Sequence, residues 1–443
     1  MKSIAYISKK RNDNMIHVFQ GGETLSTIAE QNNISLLRLI TDNNLTPDIT
    51  PSIGQAIMIE PPGRSYIVKE GDTIQGIAED NGISVLQLLR LNPSITDKDS
   101  LTVGEELVIS YDTDKEINIM GYTSVTIQEP ILRKTLPSLT YLTILNYRVD
   151  PLGNLQNIND SQIINLALEY EVAPIMCVSN MTDAGRGSYA ASHSIFNNPE
   201  VQDKLIFNIL YTMKTKGYMG VNLSFVHLLT EDLPAYAEFV RKVTVELNQE
   251  NYVVFVSITP NAFKYRPGIG YDSPYYAEMG SAANYVILIT YLWQEGHISD
   301  MEQTTPWYLK QYLDFVVTQI PAEKIMLGLT RIAYDWELPY IENESLGALL
   351  TNASAINLAN QLGVDIHYDQ TSQTPFYYYT ESGARHYVWF KDARTYEAIL
   401  NLVEVYGLHG VAVWNIMYYY TQTWLAINSH YKVKRYDRFI QEM

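Results

Sequence analysis

The stretch Gly217-Tyr218-Met219-Gly220-Val221-Asn222-Leu223-Ser224-Phe225-Val226-His227 alternates in character. Val221, Leu223 and Phe225 fall on one face, and Asn222, Ser224 and Val226 on the other. Period two after a glycine is a β-strand with one face in a core. Working outward, further strands are expected at Ile117–Tyr122, Tyr141–Tyr147, Ala173–Ser179, Gly220–Phe225, Val253–Ile258, Tyr285–Tyr291, Lys324–Leu329 and Gly410–Asn415. Amphipathic stretches lie between them: Pro199 to Lys214, with Asn198 as cap and Pro199 in the first turn, then Asp232–Asn248 and Asp392–Tyr406. Eight strands alternating with helices predict an α/β chain folded as a (β/α)8 TIM barrel, over 116–430. The segment between the seventh and eighth strands is too long for one helix. A small α+β insertion is expected there, over 335–390.

Composition narrows the class. A hydrophobic share of 46% with 18% charged residues is that of a globular chain. The net charge of −18 argues against nucleic acid, which needs a basic face, and against anionic membranes. Met1 to Met15 is polar, carries Lys9, Lys10 and Arg11, and has no apolar core, so no signal peptide is expected. No apolar run reaches the roughly 18 residues of a membrane span. Cys177 is the single cysteine, which excludes an internal disulfide framework. The eight histidines form no i,i+4 pair, so neither a metal site nor a cofactor is expected. The 34 tyrosines can stack on sugars or fill half-buried positions; packing is the ordinary role.

The first 110 residues repeat. Gly22-Glu23-Thr24-Leu25 matches Gly71-Asp72-Thr73-Ile74, Ile28-Ala29-Glu30 matches Ile77-Ala78-Glu79, and Ile34-Ser35 matches Ile83-Ser84, all 49 residues apart. Asn43 matches Asn92 at the same offset. Two copies of one strand–helix–helix–strand unit follow. Each resembles the lysin motif, LysM, over 16–60 and 65–110. The resemblance implies βααβ domains that bind N-acetylglucosamine polymers in a shallow groove between two loops. It places the contacts on Gly22, Glu23, Thr24, Leu25 and Leu45 to Ile49 in copy one. In copy two it places them on Gly71, Asp72, Thr73, Ile74 and Asn92 to Ile95. Read structurally, Thr24 and Thr73 are helix caps. Pro61-Pro62-Gly63 is a stiff linker, and Tyr111 to Lys115 is expected as a polar one.

In register, the opening stretch resembles the fourth barrel strand of glycoside hydrolase family 18, whose pattern is Asp-x-x-Asp-x-Asp-x-Glu. Those acids fall on Met219, Asn222, Ser224 and Val226, none of them acidic. Leu288-Ile289-Thr290-Tyr291-Leu292-Trp293 resembles the sixth strand, Tyr334-Asp335-Trp336 the exit of the seventh, and Gly410-Val411-Ala412-Val413-Trp414 the eighth. With the LysM pair, the layout is similar to the branch of the family found in bacterial spore-cortex enzymes. The resemblance implies substrate-assisted cleavage, in which a Glu protonates the leaving oxygen and an Asp steadies the acetamido group that attacks. Here those positions are Val226 and Ser224. A general acid contributes about 10²–10⁴-fold, so a barrel without one is expected to bind sugar and not to cut it. Tyr291, Trp293, Trp336 and Trp414 are the candidate sugar contacts in the barrel.

The favoured class is a non-catalytic peptidoglycan- or chitin-binding protein of the spore, delivered from the cytoplasm to the surface, cortex or coat. The alternative is an active N-acetylglucosaminidase with a displaced acid. His227 is one such candidate, although out of phase with the lumen; Glu231 and Asp232 are expected to cap the next helix. A third class is a scaffold among spore-coat proteins.

Overall fold

The computed structural model describes residues 16–45, 49–96, 101–182, 187–226, 228–259, 262–263, 270–271, 275–290, 304–341 and 344–437. Eight parallel strands close a barrel in chain order: Glu116–Ser124, Tyr141–Arg148, Ala173–Ser179, Gly220–Ser224, Val253–Ile258, Tyr285–Leu288, Ile325–Thr330 and Gly410–Trp414. Closure runs through the eighth strand onto the first, Gly410 opposite Asn118. The alternation of the fourth strand sorts as expected. Val221, Leu223 and Phe225 enter the core between barrel and helices, while Asn222 faces the lumen and bonds Tyr122; Met219, which precedes the strand, also joins the lumen cluster with Tyr122, Phe255 and Met326. Helix Pro199–Lys216 starts on the Asn198 side chain, which accepts from the Glu200 and Val201 backbone N–H groups, and ends on Gly217 at φ 88°. That conformation favours glycine.

The insertion begins earlier than expected. It is a five-stranded antiparallel sheet, Ile332–Leu338, Ala348–Thr351, His367–Asp369, Thr374–Glu381 and Ala384–Trp389, with one helix, Asn352–Leu362. The seventh barrel strand runs on into its first strand after a single residue, Arg331, so the boundary carries no loop signal.

The two N-terminal copies are superimposable in design. Ile16–Val18 pairs antiparallel with Ala56–Met58, and Arg64–Ile67 with Glu106–Ser110. In both, the repeated Thr caps the first helix and the repeated Ser the second. Tyr111 is not part of a solvated linker. It is buried, and its hydroxyl accepts from Arg38 Nη2 at 3.1 Å. Both copies are fastened to the barrel. Gln422 Nε2 donates to Asn43 Oδ1 and Ala56 O, Ile366 N donates to Ile53 O, and Asn428 Nδ2 donates to Arg90 O. At Gly54, φ is 86° and a Cβ would lie 1.9 Å from Ile366 O, so only glycine permits this approach. No helix among the described residues is long and apolar enough to cross a membrane.

Candidate functional site

Barrel sites form where strands end in loops. At that end of the fourth strand, Asn222 is fully buried in the lumen. Its Nδ2 donates to Tyr122 Oη at 2.9 Å, and its Oδ1 accepts from Ser257 Oγ at 2.9 Å. Three strands are thereby tied across the lumen by neutral groups, in the place where the family pattern has a carboxylate. Ser224 is half-buried. Val226 is 6% exposed and held at both ends of its peptide: its N–H donates to Asn180 Oδ1, and its carbonyl accepts from Asn180 Nδ2, both at 2.9 Å. A buried valine fixed in this way can neither donate a proton nor hold charge. Burial pushes the Tyr122 phenol far above its ordinary range, so it stays neutral.

Trp414 ends the eighth strand half-buried, its ring 5.4 Å from that of Tyr122. The chain beyond it is held by Arg331, which is fully buried. Its Nη2 donates to Asn415 O and to Tyr418 O, and its guanidinium lies over the Tyr418 and Trp424 rings. Asp232 does not cap the next helix with its side chain. Its Oδ1 lies 2.8 Å from His193 Nδ1. Tyr291, Leu292, Trp293 and His227 lie outside the described residues.

Trp336 cannot be a sugar platform. It is fully buried in the insertion, stacked between Tyr334 and Tyr387 at 5.1 and 5.9 Å, with Gly347 against its indole. Adjacent strands of a two-sided sheet bury alternate residues, and this tryptophan points inward. Asn92 is likewise structural. Its amide donates to Leu88 O and Val108 O and accepts from Val108 N, and Asn43 does the same with Leu39 O, Met58 O and Met58 N. The repeat of these asparagines reflects one fold requirement met twice. Glu23 accepts from Gln20 N and bonds His17, which holds its carboxyl below the ordinary range; Asp72 accepts from Lys69 N and Tyr66 Oη. These acids brace the loop that displays Gly22, Thr24 and Leu25, or Gly71, Thr73 and Ile74. Sequence reasoning passed over Asn180, Tyr122 and Ser257. Their signal was polarity at the lumen side of a strand, near its carboxyl end. Among the described residues, no three His, Cys, Asp or Glu side chains gather as a metal site.

Fold and site together define a glycosidase-type TIM barrel carrying two LysM units. The chain belongs to glycosyl hydrolases family 18, whose model matches residues 118–418, and the LysM domain model matches 17–59 and 66–110. A cortical fragment-lytic enzyme of Bacillus anthracis is 29% identical over 94% of this chain and 98% of its own. The crystal structure of the Bacillus cereus spore cortex-lytic enzyme SleL superposes with TM-score 0.76 at 25% identity, covering 95% of this chain and 98% of that one. That of the Bacillus megaterium enzyme gives 0.75 at 28%, covering 95% and 99%.

Proposed function

We propose that this protein binds N-acetylglucosamine polymers of the spore cortex through its LysM pair and barrel, and does not hydrolyse them. The observation that carries this reading is the fourth strand, where Val226 stands in the general-acid position, buried and pinned by Asn180. The Asn222–Tyr122–Ser257 bridge supports it, because it fills the lumen beneath with neutral, mutually satisfied groups. Parts that act as a unit fail as a unit, so replacing two acids removes turnover rather than trimming it. Spore association rests on the named enzymes of the relatives. The test is release of reducing ends from cortex fragments and chitooligosaccharides between pH 5.5 and 8 (a range chosen about neutrality), alongside retention on insoluble cortex. Retention without release is expected.

A second reading is favoured by those same names: a cortex-lytic glycosidase whose acid comes from outside the fourth strand. Turnover within about tenfold of an intact relative, a difference of about 1.4 kcal/mol in barrier, would establish it. His227→Ala and Asp232→Asn then identify the donor.

A further inference from the structure

Arg331 is the one residue between the seventh barrel strand, Ile325–Thr330, and the first strand of the insertion, Ile332–Leu338. It also meets the chain that leaves the eighth strand. Its backbone N–H donates to Trp414 O at 3.2 Å, and its carbonyl accepts from Tyr418 Oη. In the side chain, Nη2 donates to two carbonyls, Asn415 O and Tyr418 O, while the guanidinium lies 4.6 Å from the centre of the Tyr418 ring and 5.8 Å from that of Trp424. Residues 415–420 form neither helix nor strand. They are tied on their other side to the first strand, where Ile416 N donates to Tyr122 O at 2.9 Å. The half-buried Trp414 thus leads into a span whose shape is held by Arg331 from one side and by Tyr122 from the other.

Stability alone does not account for an arginine here. The residue is fully buried, and its Nε and Nη1 have no hydrogen-bond partner. The ionisable groups that act on its charge are the phenols of Tyr418, Tyr396, Tyr419 and Tyr420, and among the described residues none is a carboxylate. A buried charge without an opposite charge destabilises a fold, and the two aromatic faces offset only part of that. An apolar side chain of similar length would avoid the penalty. It could not hold two carbonyls at one nitrogen, which a guanidinium can because each terminal nitrogen carries two N–H donors. Fixing the carbonyls of Asn415 and Tyr418 fixes the turn between them, and with it the backbone that carries Trp414.

Resting on the glycan-binding function proposed above, we infer that Arg331 is a positioning residue for sugar recognition, which holds residues 415–418 so that Trp414 meets a bound sugar in one fixed orientation. Buried as it is, Arg331 touches no sugar. A ring already held in place loses less freedom when a sugar stacks on it, so the guanidinium contributes to affinity through preorganisation.

All six tryptophans fall between Trp293 and Trp424, outside the LysM copies, so their emission reads the barrel alone. The test titrates the full chain with the tetramer of N-acetylglucosamine, following that emission, beside urea midpoints. Trp414→Phe identifies the part of the change that belongs to Trp414. Arg331→Met is expected to weaken binding about 3- to 10-fold, the ordering of one large side chain, with a urea midpoint close to that of the unmodified protein. Arg331→Lys keeps the charge but replaces the planar fork by a compact ammonium, and is expected to weaken binding likewise. With tetramer binding measured by calorimetry, Arg331→Met is expected to add no further loss in the Trp414→Phe background, because Arg331 acts through that ring. Unchanged binding in both Arg331 variants, or a loss of equal size with and without Trp414, overturns the positioning role and leaves glycan binding standing. An unmodified protein whose emission ignores the tetramer overturns sugar binding by the barrel and the positioning role with it.

Discussion

His409 is a buried histidine whose neutral form contributes stability that acidification removes. It sits just before the eighth strand at the floor of the barrel, its ring 4.0 Å from that of Tyr285 and 6.4 Å from that of Tyr141. Burial first, and the nearby Lys434 ammonium second, push its pKa down from 6.5 to about 4. The folded value lies below the unfolded one, so between them the unfolded chain holds a proton that the folded chain refuses. The neutral histidine's contribution is complete above about pH 6.5 and is lost as pH falls towards 4. A gap of about 2.5 units at about 1.4 kcal/mol per unit removes about 3 kcal/mol, a large part of a typical stability of about 5–15 kcal/mol. The perturbation is His409→Gln, which is uncharged throughout. At neutral pH the variant is expected to be less stable by about 1–3 kcal/mol through lost packing. The difference should close steadily on acidification and reach zero or reverse by about pH 4.5, towards the acid end of the window. Urea midpoints of both proteins at constant ionic strength measure it, and carboxylates elsewhere cancel in the comparison. A difference independent of pH would refute the reasoning.

Asp160 is fully buried and accepts from Tyr147 and Tyr218 at 2.5 Å each and from Lys216 at 2.7 Å. Asp160→Ala removes the acceptor shared by two buried tyrosines, while Lys216 keeps Asn157 Oδ1 and Ile158 O, and should cost about 3–5 kcal/mol by urea unfolding; a cost under about 1 kcal/mol would mean the cluster is solvated. Gly54→Ala should loosen the first LysM copy from the insertion, seen as faster proteolysis near Pro61-Pro62-Gly63, and an unchanged digestion pattern would contradict the tight approach to Ile366. Ser224→Asp with Val226→Glu, joined by Leu292→Asp, should restore hydrolysis if the groove still seats a sugar. Burial at 226 would keep the new glutamic acid protonated to higher pH, as a general acid requires; silence in a folded triple variant would mean that the groove itself is lost.

The sequence alone determined the barrel, because its strands and helices declare themselves through periods of two and 3.6 that burial imposes on neighbouring residues. It also determined the LysM pair, since a repeat at fixed offset needs no tertiary knowledge, and it placed Val226 where an acid was expected. The role of Trp336 was beyond it. A tryptophan after a strand reads the same whether it lines a groove or fills a sheet, and only the stacking of Tyr334 and Tyr387 puts it inside. Asn92 was placed in the groove by the resemblance to LysM, yet a family pattern carries folding requirements and ligand contacts alike. The bridge from Tyr122 through Asn222 to Ser257 joins residues about a hundred positions apart and then 35, a distance over which no local pattern carries information. The docking of the first copy on the insertion is the extreme case: Ser52 meets Asn360 across 308 residues. Which surfaces meet is fixed by closure of the barrel and docking of the first copy upon it, and that belongs to the tertiary structure.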